Sequence, residues 1–179
     1  MGKNQRNDTE TRREDWSTPQ AMFDALDSVF KFKVDLCADH MNHKCELYIT
    51  EGIDLMSPGA EDAVDIFSGE DDYLWINPPY KSRDGTGKFV QRAVDIAGSR
   101  GLVCLIPASV GSKWWLEHVW ANFDLFIFPR RFDFEGTTGS GAQFDCAICI
   151  KWASDDLCDN AQLTANLEGL ELGVIVGHL

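Results

Sequence analysis

The run Asn77-Pro78-Pro79-Tyr80 concentrates hydrogen-bond acceptors in a stiff segment. Two successive prolines fix φ and remove both of their backbone N–H donors, so the loop presents carbonyl oxygens without competing donors. With the Asn77 side-chain oxygen beside the Pro78 carbonyl, two acceptors can take both protons of one –NH₂ group, and Tyr80 offers a flat face on which a ring can stack. The exocyclic amine of adenine shares its lone pair with the ring and is a poor nucleophile. Two acceptors hold such a nitrogen nearer to tetrahedral geometry, aim its lone pair at an incoming electrophile and spread the charge that develops as the bond forms. No covalent enzyme intermediate is required. The same residue types also make a rigid surface turn. Position favours chemistry, because the apolar run Tyr73-Leu74-Trp75-Ile76 ends directly at Asn77, and ligands of open α/β sheets sit beyond the carboxyl ends of strands.

The elements around this loop follow from periodicity. Thr18-Pro19 opens a helix, with a hydroxyl cap, proline at the first helical position, and Met22, Phe23, Leu26, Val29 and Phe30 on one face. Residues 32–38 alternate as a strand that breaks at Asp39, and this is the second strand end marked for a ligand. Phe89, Val90, Ala93, Val94 and Ala97 have helical spacing, and Gly101 introduces an apolar strand from Leu102 to Ile106. Gly111 to Val119 reads as a further helix, and 123–128 and 144–152 as strands. Ala161 to Leu170 has helical character, and Val174-Ile175-Val176 is either an edge strand or core packing. Strands alternating with helices predict an α/β fold with a mostly parallel sheet flanked by helices. Residues 1–14 lack aromatic and branched residues and read as a flexible arm, leaving 15–179 as one domain.

Composition narrows the setting. No window approaches the roughly 18 apolar residues of a membrane span, and the first residues are polar and charged rather than signal-like, which predicts a soluble cytoplasmic protein without a membrane partner. Several of the six cysteines lie inside apolar runs, where the residue acts as a small buried hydrophobe, so a disulfide framework is not expected. The net charge of −13 opposes binding to a polyanion unless the basic residues cluster. Candidates for such clusters are Lys3, Arg6, Arg12 and Arg13, then Lys81, Arg83 and Lys88, then Arg130 and Arg131. The Gly, Ser and Thr content of the loops from Lys81 to Lys88 and from Arg130 to Gly141 predicts ordering on a partner.

In these residues the sequence resembles the phage-type DNA N6-adenine methyltransferases, the Dam-like family of bacteriophages and prophages. The shared elements run from Trp16-Ser17-Thr18-Pro19 through 34–39, Asn42 to Cys45, Tyr48, Asp54-Leu55, Trp75 to Tyr80, Leu105-Ile106-Pro107 and Lys113-Trp114-Trp115 to Arg131-Phe132-Asp133-Phe134. The resemblance implies a class I methyltransferase (Rossmann-like) fold, S-adenosyl-L-methionine (AdoMet) as donor, and adenine in double-stranded DNA as acceptor, often within GATC. In the phage setting it also implies protection of DNA from restriction. It further implies that Asn77, Pro78 and Tyr80 handle the target base, a flipped adenine, and that Thr18, Asp35, Cys37 and Ala38 line the AdoMet pocket; Pro79 joins the catalytic candidates, and Trp16, Pro19 and Asp39 the cofactor candidates. A helix start at Thr18-Pro19 supplies free N–H groups and a hydroxyl for the methionine carboxylate, and Asp35 or Asp39 is placed to receive its ammonium. Asp54 or Glu51 is a candidate for the ribose. Lys81, Arg83, Lys88, Arg130, Arg131 and Phe132 are the candidate DNA contacts. Arg130 stands where the family usually has glycine, a departure at that surface. Phe132 or Phe134 either covers the base or belongs to the core.

No metal is called for in this scheme, and a monomer or weak homodimer is expected. Rival readings are a zinc site at Cys37, His40, His43 and Cys45, methylation of a glutamine amide in a protein, which poses the same lone-pair problem, and an inactive acidic protein that mimics DNA.

Overall fold

The computed structural model describes residues 17–50, 52–80, 85–130, 133–135, 144–153 and 157–177. Among these, seven strands form one sheet: β1 (Val34–Asp35), β2 (Leu47–Tyr48), β3 (Tyr73–Ile76), β4 (Gly101–Pro107), β5 (Leu125–Pro129), β6 (Cys146–Lys151) and β7 (Gly173–Gly177), in the order β2-β1-β3-β4-β6-β5-β7. From β2 to β4 every pairing is parallel. Beyond β4 every pairing is antiparallel, with β6 inserted between β4 and β5 and β7 on the outer side of β5. β5 therefore runs with β4, and five of the seven strands share a direction. The expected mostly parallel sheet is thus a mixed one, half parallel and half antiparallel in its pairings. Parallel neighbours need a long crossover, usually a helix, whereas an antiparallel return does not. No helical period separates Phe128 from Phe144 in the sequence, and β6 accordingly returns antiparallel beside β5.

The strands alternate in what they face, as the two-residue period of a strand requires. Leu74 and Ile76 of β3 and Leu102, Cys104 and Ile106 of β4 pack on one side, against α2 (Pro58–Phe67), α3 (Gly85–Ala97) and a π-helical segment, Trp115–Trp120. Tyr73 and Trp75 of β3 and Val103 and Leu105 of β4 pack on the other, against α1 (Gln20–Phe30) and α4 (Leu157–Gly169). Helices cover both faces, and each fully buried aliphatic side chain contributes about 1.5–3 kcal/mol. The layers hold the carboxyl ends of β1, β3 and β4 as a fixed rim.

Several elements differ in detail from their sequence patterns. α1 begins at Gln20, with Pro19 rather than Thr18 in the capping position and no side-chain cap bond. The alternating run over 32–38 contributes only two strand residues, because the Asp35 side chain turns back to accept from the Cys37 N–H at 3.2 Å and ends the strand. α2 and β2 have no counterpart in the sequence reading. Gly111 to Val119 closes into the π-helical segment instead of an ordinary helix, and both ambiguous C-terminal stretches are regular, as α4 and β7.

Candidate active site

A cavity of about 760 Å³ opens at the carboxyl ends of β1 and β3. All four residues from Asn77 to Tyr80 line it, as do Thr18, Asp35, Cys37, Ala38, Asp39 and Asp54. The fold therefore joins the two strand ends singled out in the sequence. β1 and β3 are direct neighbours, with Asp35 in register with Trp75, so the chain leaving each strand enters the same space.

On the β3 side the Tyr80 hydroxyl donates to Asn77 Oδ1 at 2.8 Å and also lies 3.2 Å from the Leu105 carbonyl oxygen. The Tyr80 ring is held by the edges of Phe134 and Phe144, with centroids 5.8 and 5.5 Å away. Burial pushes the Tyr80 phenol well above its ordinary pKa, so it remains a donor. Thr86 at the start of α3 donates to the Pro79 carbonyl at 3.4 Å, tying the loop to the helix that follows. Phe134 is buried and belongs to the core.

On the β1 side Asp35 is only 3% exposed. Its Oδ1 accepts from Cys37 N and its Oδ2 from Lys44 N at 3.1 Å. Burial raises its pKa to about 6, against the lowering effect of those two N–H groups. The Coulombic attraction of His43 and Lys44 also lowers it, and the desolvation of burial outweighs all of these. Asp39 has other work: its carboxylate accepts from Met41 N and Asn42 N, closing the turn that follows β1. Asp54, at φ 56°, accepts from Met56 N while its backbone stabilises the next turn.

The start of α1 forms a third wall. Thr18 is 1% exposed, and its Oγ1 is buried without a hydrogen-bond partner among the described residues. The N–H of Gln20 is not free, as the sequence had implied, because it donates to Glu135 Oε1 at 2.9 Å. An anion already sits at this helix start, and it belongs to the chain itself. Glu135 also pairs backbone to backbone with Ser17 and accepts from Lys44 Nζ at 3.3 Å.

The remaining predicted residues are dispersed. Pro19 does not line the cavity, and its carbonyl accepts from Met22 and Phe23 at the start of α1. Lys88 on α3 and Arg130 after β5 are exposed and lie outside the cavity lining. Trp16, Glu51, Lys81, Arg83, Arg131 and Phe132, with the four N-terminal basic residues, lie outside the described residues. Lys44, Ile49, Thr50 and Phe89 line the cavity but were not assigned to it from the sequence. Only Lys44 gave a signal, as part of the Asn42 to Cys45 element. His43 stacks on Tyr48 at 4.3 Å and meets the Cys45 carbonyl, while His40 meets the Tyr48 hydroxyl at 2.7 Å. Among the described residues no group of three or more His, Cys, Asp or Glu side chains is arranged to hold a metal ion.

The family model of DNA N-6-adenine-methyltransferase (Dam) matches residues 5–149, well over half of the chain. The chain belongs to the Dam family. No curated protein matches it individually. The Dam match spans β1 to β5 and the first four residues of β6, and it stops before α4 and β7. The family is one of DNA methyltransferases, and no helix described here is long and apolar enough to cross a membrane.

Proposed function

We propose that this Dam-family protein transfers a methyl group from AdoMet to the N6 amine of adenine in double-stranded DNA, within a class I, Rossmann-like framework. The observation that carries the proposal is the meeting, in one cavity, of the Asn77–Tyr80 acceptor loop with Asp35 and the unpartnered Thr18 hydroxyl. Its volume lies in the range of roughly 300–1,000 Å³ typical of ligand pockets. The residues fit AdoMet: Asp35 offers a buried anion to the ammonium, Thr18 a hydroxyl to a polar group, and Cys37, Ala38, Asp39 and Asp54 complete that side, with Asp54 assigned to the ribose. When bound, AdoMet supplies an electrophilic methyl group on a sulfonium sulfur.

The acceptor side follows from Tyr80. A phenol has one proton to donate, and here two acceptors lie within reach, Asn77 Oδ1 and the Leu105 carbonyl. When the amine of a flipped adenine approaches, Asn77 Oδ1 accepts from it on its second lone pair while the Tyr80 hydroxyl keeps the carboxamide oriented. Asn77 Oδ1 and the Pro78 carbonyl then hold the amine with its lone pair aimed at the donor side, and Tyr80 stacks on the base. Unstacking a base from duplex DNA costs a few kcal/mol, which these contacts offset.

Part of the acidic charge lies away from the cavity. Glu70, Asp71 and Asp72 precede β3, Asp124 precedes β5, and Asp65 pairs at 2.8 Å with Arg100 just before β4. These acids gather at the amino ends of the strands, the opposite rim from Asn77. Lys88 and Arg130 are proposed to contact phosphates, together with Lys81, Arg83 and Arg131; Phe132 is proposed to flank the base. The test is transfer of labelled methyl from AdoMet to unmethylated duplex DNA, followed by nucleoside analysis. N6-methyladenine is the expected product, and mapping it decides whether the site is GATC. AdoMet binding without any DNA product would overturn the assignment of acceptor.

A further inference from the structure

Two consecutive residues just outside the cavity lining, Phe134 and Glu135, contact lining residues on its opposite sides, Tyr80 and Lys44. Phe134 sets its ring against Tyr80, with an interplanar angle of 75°. Glu135 extends the other way: Oε1 accepts from the Gln20 N–H at the start of α1, and Oε2 pairs with Lys44 Nζ. Lys44 is 7% exposed in its side chain and also donates to Gln20 Oε1 at 3.0 Å, while its backbone N–H holds Asp35 Oδ2. An unbroken chain of contacts therefore runs from the catalytic tyrosine through residues 134 and 135 to the buried carboxylate of the donor side.

We propose that Glu135 is a positioning residue that couples occupancy of the base side to affinity on the donor side. The inference rests on the reading of this cavity as an AdoMet and adenine site. A base stacked on Tyr80 restrains Phe134, and with it the backbone that Glu135 shares with Ser17 through paired N–H···O=C bonds at 2.9 and 3.2 Å. Once restrained, Glu135 holds Gln20 and Lys44, and Lys44 holds the Asp35 carboxylate where the donor's ammonium binds. By linkage the effect is reciprocal, so DNA tightens the donor by the factor that the donor tightens DNA. Because Glu135 is half exposed, its ion pair is partly screened, and the coupling lies near the lower end of the usual range, about fivefold.

The experiment measures binding of S-adenosylhomocysteine, which cannot transfer a methyl group, with and without saturating unmethylated plasmid DNA. Wild type is expected to bind about fivefold more tightly with DNA. Glu135→Gln keeps an oxygen for the Gln20 N–H and removes the charge opposite Lys44; it should bind the nucleoside alone within about twofold of wild type but show no tightening by DNA. Lys44→Gln, which breaks the same pair from the other end, should lose the tightening too. A merely structural role would lower the melting temperature and leave the DNA-dependent ratio intact, and that result overturns the inference. So does a wild type that binds both ligands without coupling. A wild type that binds no S-adenosylhomocysteine overturns the reading of the cavity as well, which separates the two failures.

Discussion

The Tyr80 hydroxyl donates to Asn77 Oδ1 across 2.8 Å, so the two polar side chains of the acceptor loop are bonded to each other before any substrate arrives. The carboxamide is thereby held in one orientation, with its oxygen turned toward Tyr80. Replacing Asn77 by Ala should abolish methyl transfer almost completely while leaving AdoMet affinity within a few-fold of wild type. Tyr80→Phe keeps the stacking ring and loses only the bond, so kcat should fall by about tenfold, equivalent to roughly 1.4 kcal/mol. Single-turnover rates on saturating DNA provide the check, and an unaltered rate in Tyr80→Phe would show that the bond does not set the geometry.

Asp35 predicts a pH dependence. Its pKa in the folded chain is raised from 3.8 to about 6 by burial. A raised carboxylate pKa destabilises the folded, donor-free state as the pH climbs from about 4 through about 6; the cost is absent below that window and constant above it, at roughly 3 kcal/mol. Binding of the donor's ammonium has the opposite demand, since it needs the carboxylate ionised. AdoMet affinity should therefore fall below pH 6, approaching tenfold per unit, and Asp35→Asn should bind weakly with little pH dependence. Calorimetric titration between pH 5 and 8 distinguishes the two curves.

Thr18→Val tests the unpartnered hydroxyl. A buried oxygen without a donor carries its desolvation cost into the donor-free protein, and an isosteric methyl removes it. The variant should be more stable than wild type by about 1 kcal/mol without ligand, yet bind AdoMet more weakly. Thermal melts with and without AdoMet would show the order of the two proteins reversing; parallel melts would remove Thr18 from the ligand shell.

A stability prediction concerns the amino ends of β3 and β4, away from the cavity. Gly101 opens β4 opposite Tyr73, and a Cβ there would stand 2.2 Å from two Tyr73 ring carbons. That ring cannot easily yield, because it lies 4.8 Å from Phe30 and its oxygen accepts from Ala153 N. Gly101→Ala should lower stability by about 1–3 kcal/mol, read from the denaturant midpoint. AdoMet affinity of the folded fraction should be unchanged.

Charge removal at Lys88 and Arg130, the described candidates for phosphate contact, should weaken DNA binding on every sequence and flatten its salt dependence by about 0.9 in log–log slope per lost contact. Fluorescence anisotropy across a salt series measures this. An unaltered slope would take that residue off the DNA surface.

The site was legible in sequence where the chain uses strong punctuation. β3 was read to its exact ends because an apolar run meets two prolines, and β4 and α3 from Phe89 onward followed from apolar and helical patterns; the first turn of α3, Gly85 to Lys88, was read as loop because its glycines and polar residues carry no apolar stripe. α2 escaped because it buries only Ala60 and Val64 against the core, too few and too small to give a stripe; Ser57-Pro58 at its start was the available cue. β2 is two half-buried residues and has no period to detect. The direction of β6 depends on what it pairs with, which local patterns do not encode. Glu135 and Lys44 meet across 91 residues of sequence, and only the fold brings that pair together. The free helix start expected at Thr18-Pro19 was an argument from one element alone, and it missed an anion arriving from another.

The net charge has a consequence for how the molecule meets its substrate. Acids stand at both ends of the strands: Glu70, Asp71, Asp72 and Asp124 before the strands begin, and Asp35, Asp39 and Asp54 in the cavity at their carboxyl ends. A polyanion therefore meets repulsion at long range from either end, and the attraction of Lys88 and Arg130 acts only at short range. Added salt, by screening the field over roughly 10 Å, weakens the long-range repulsion first.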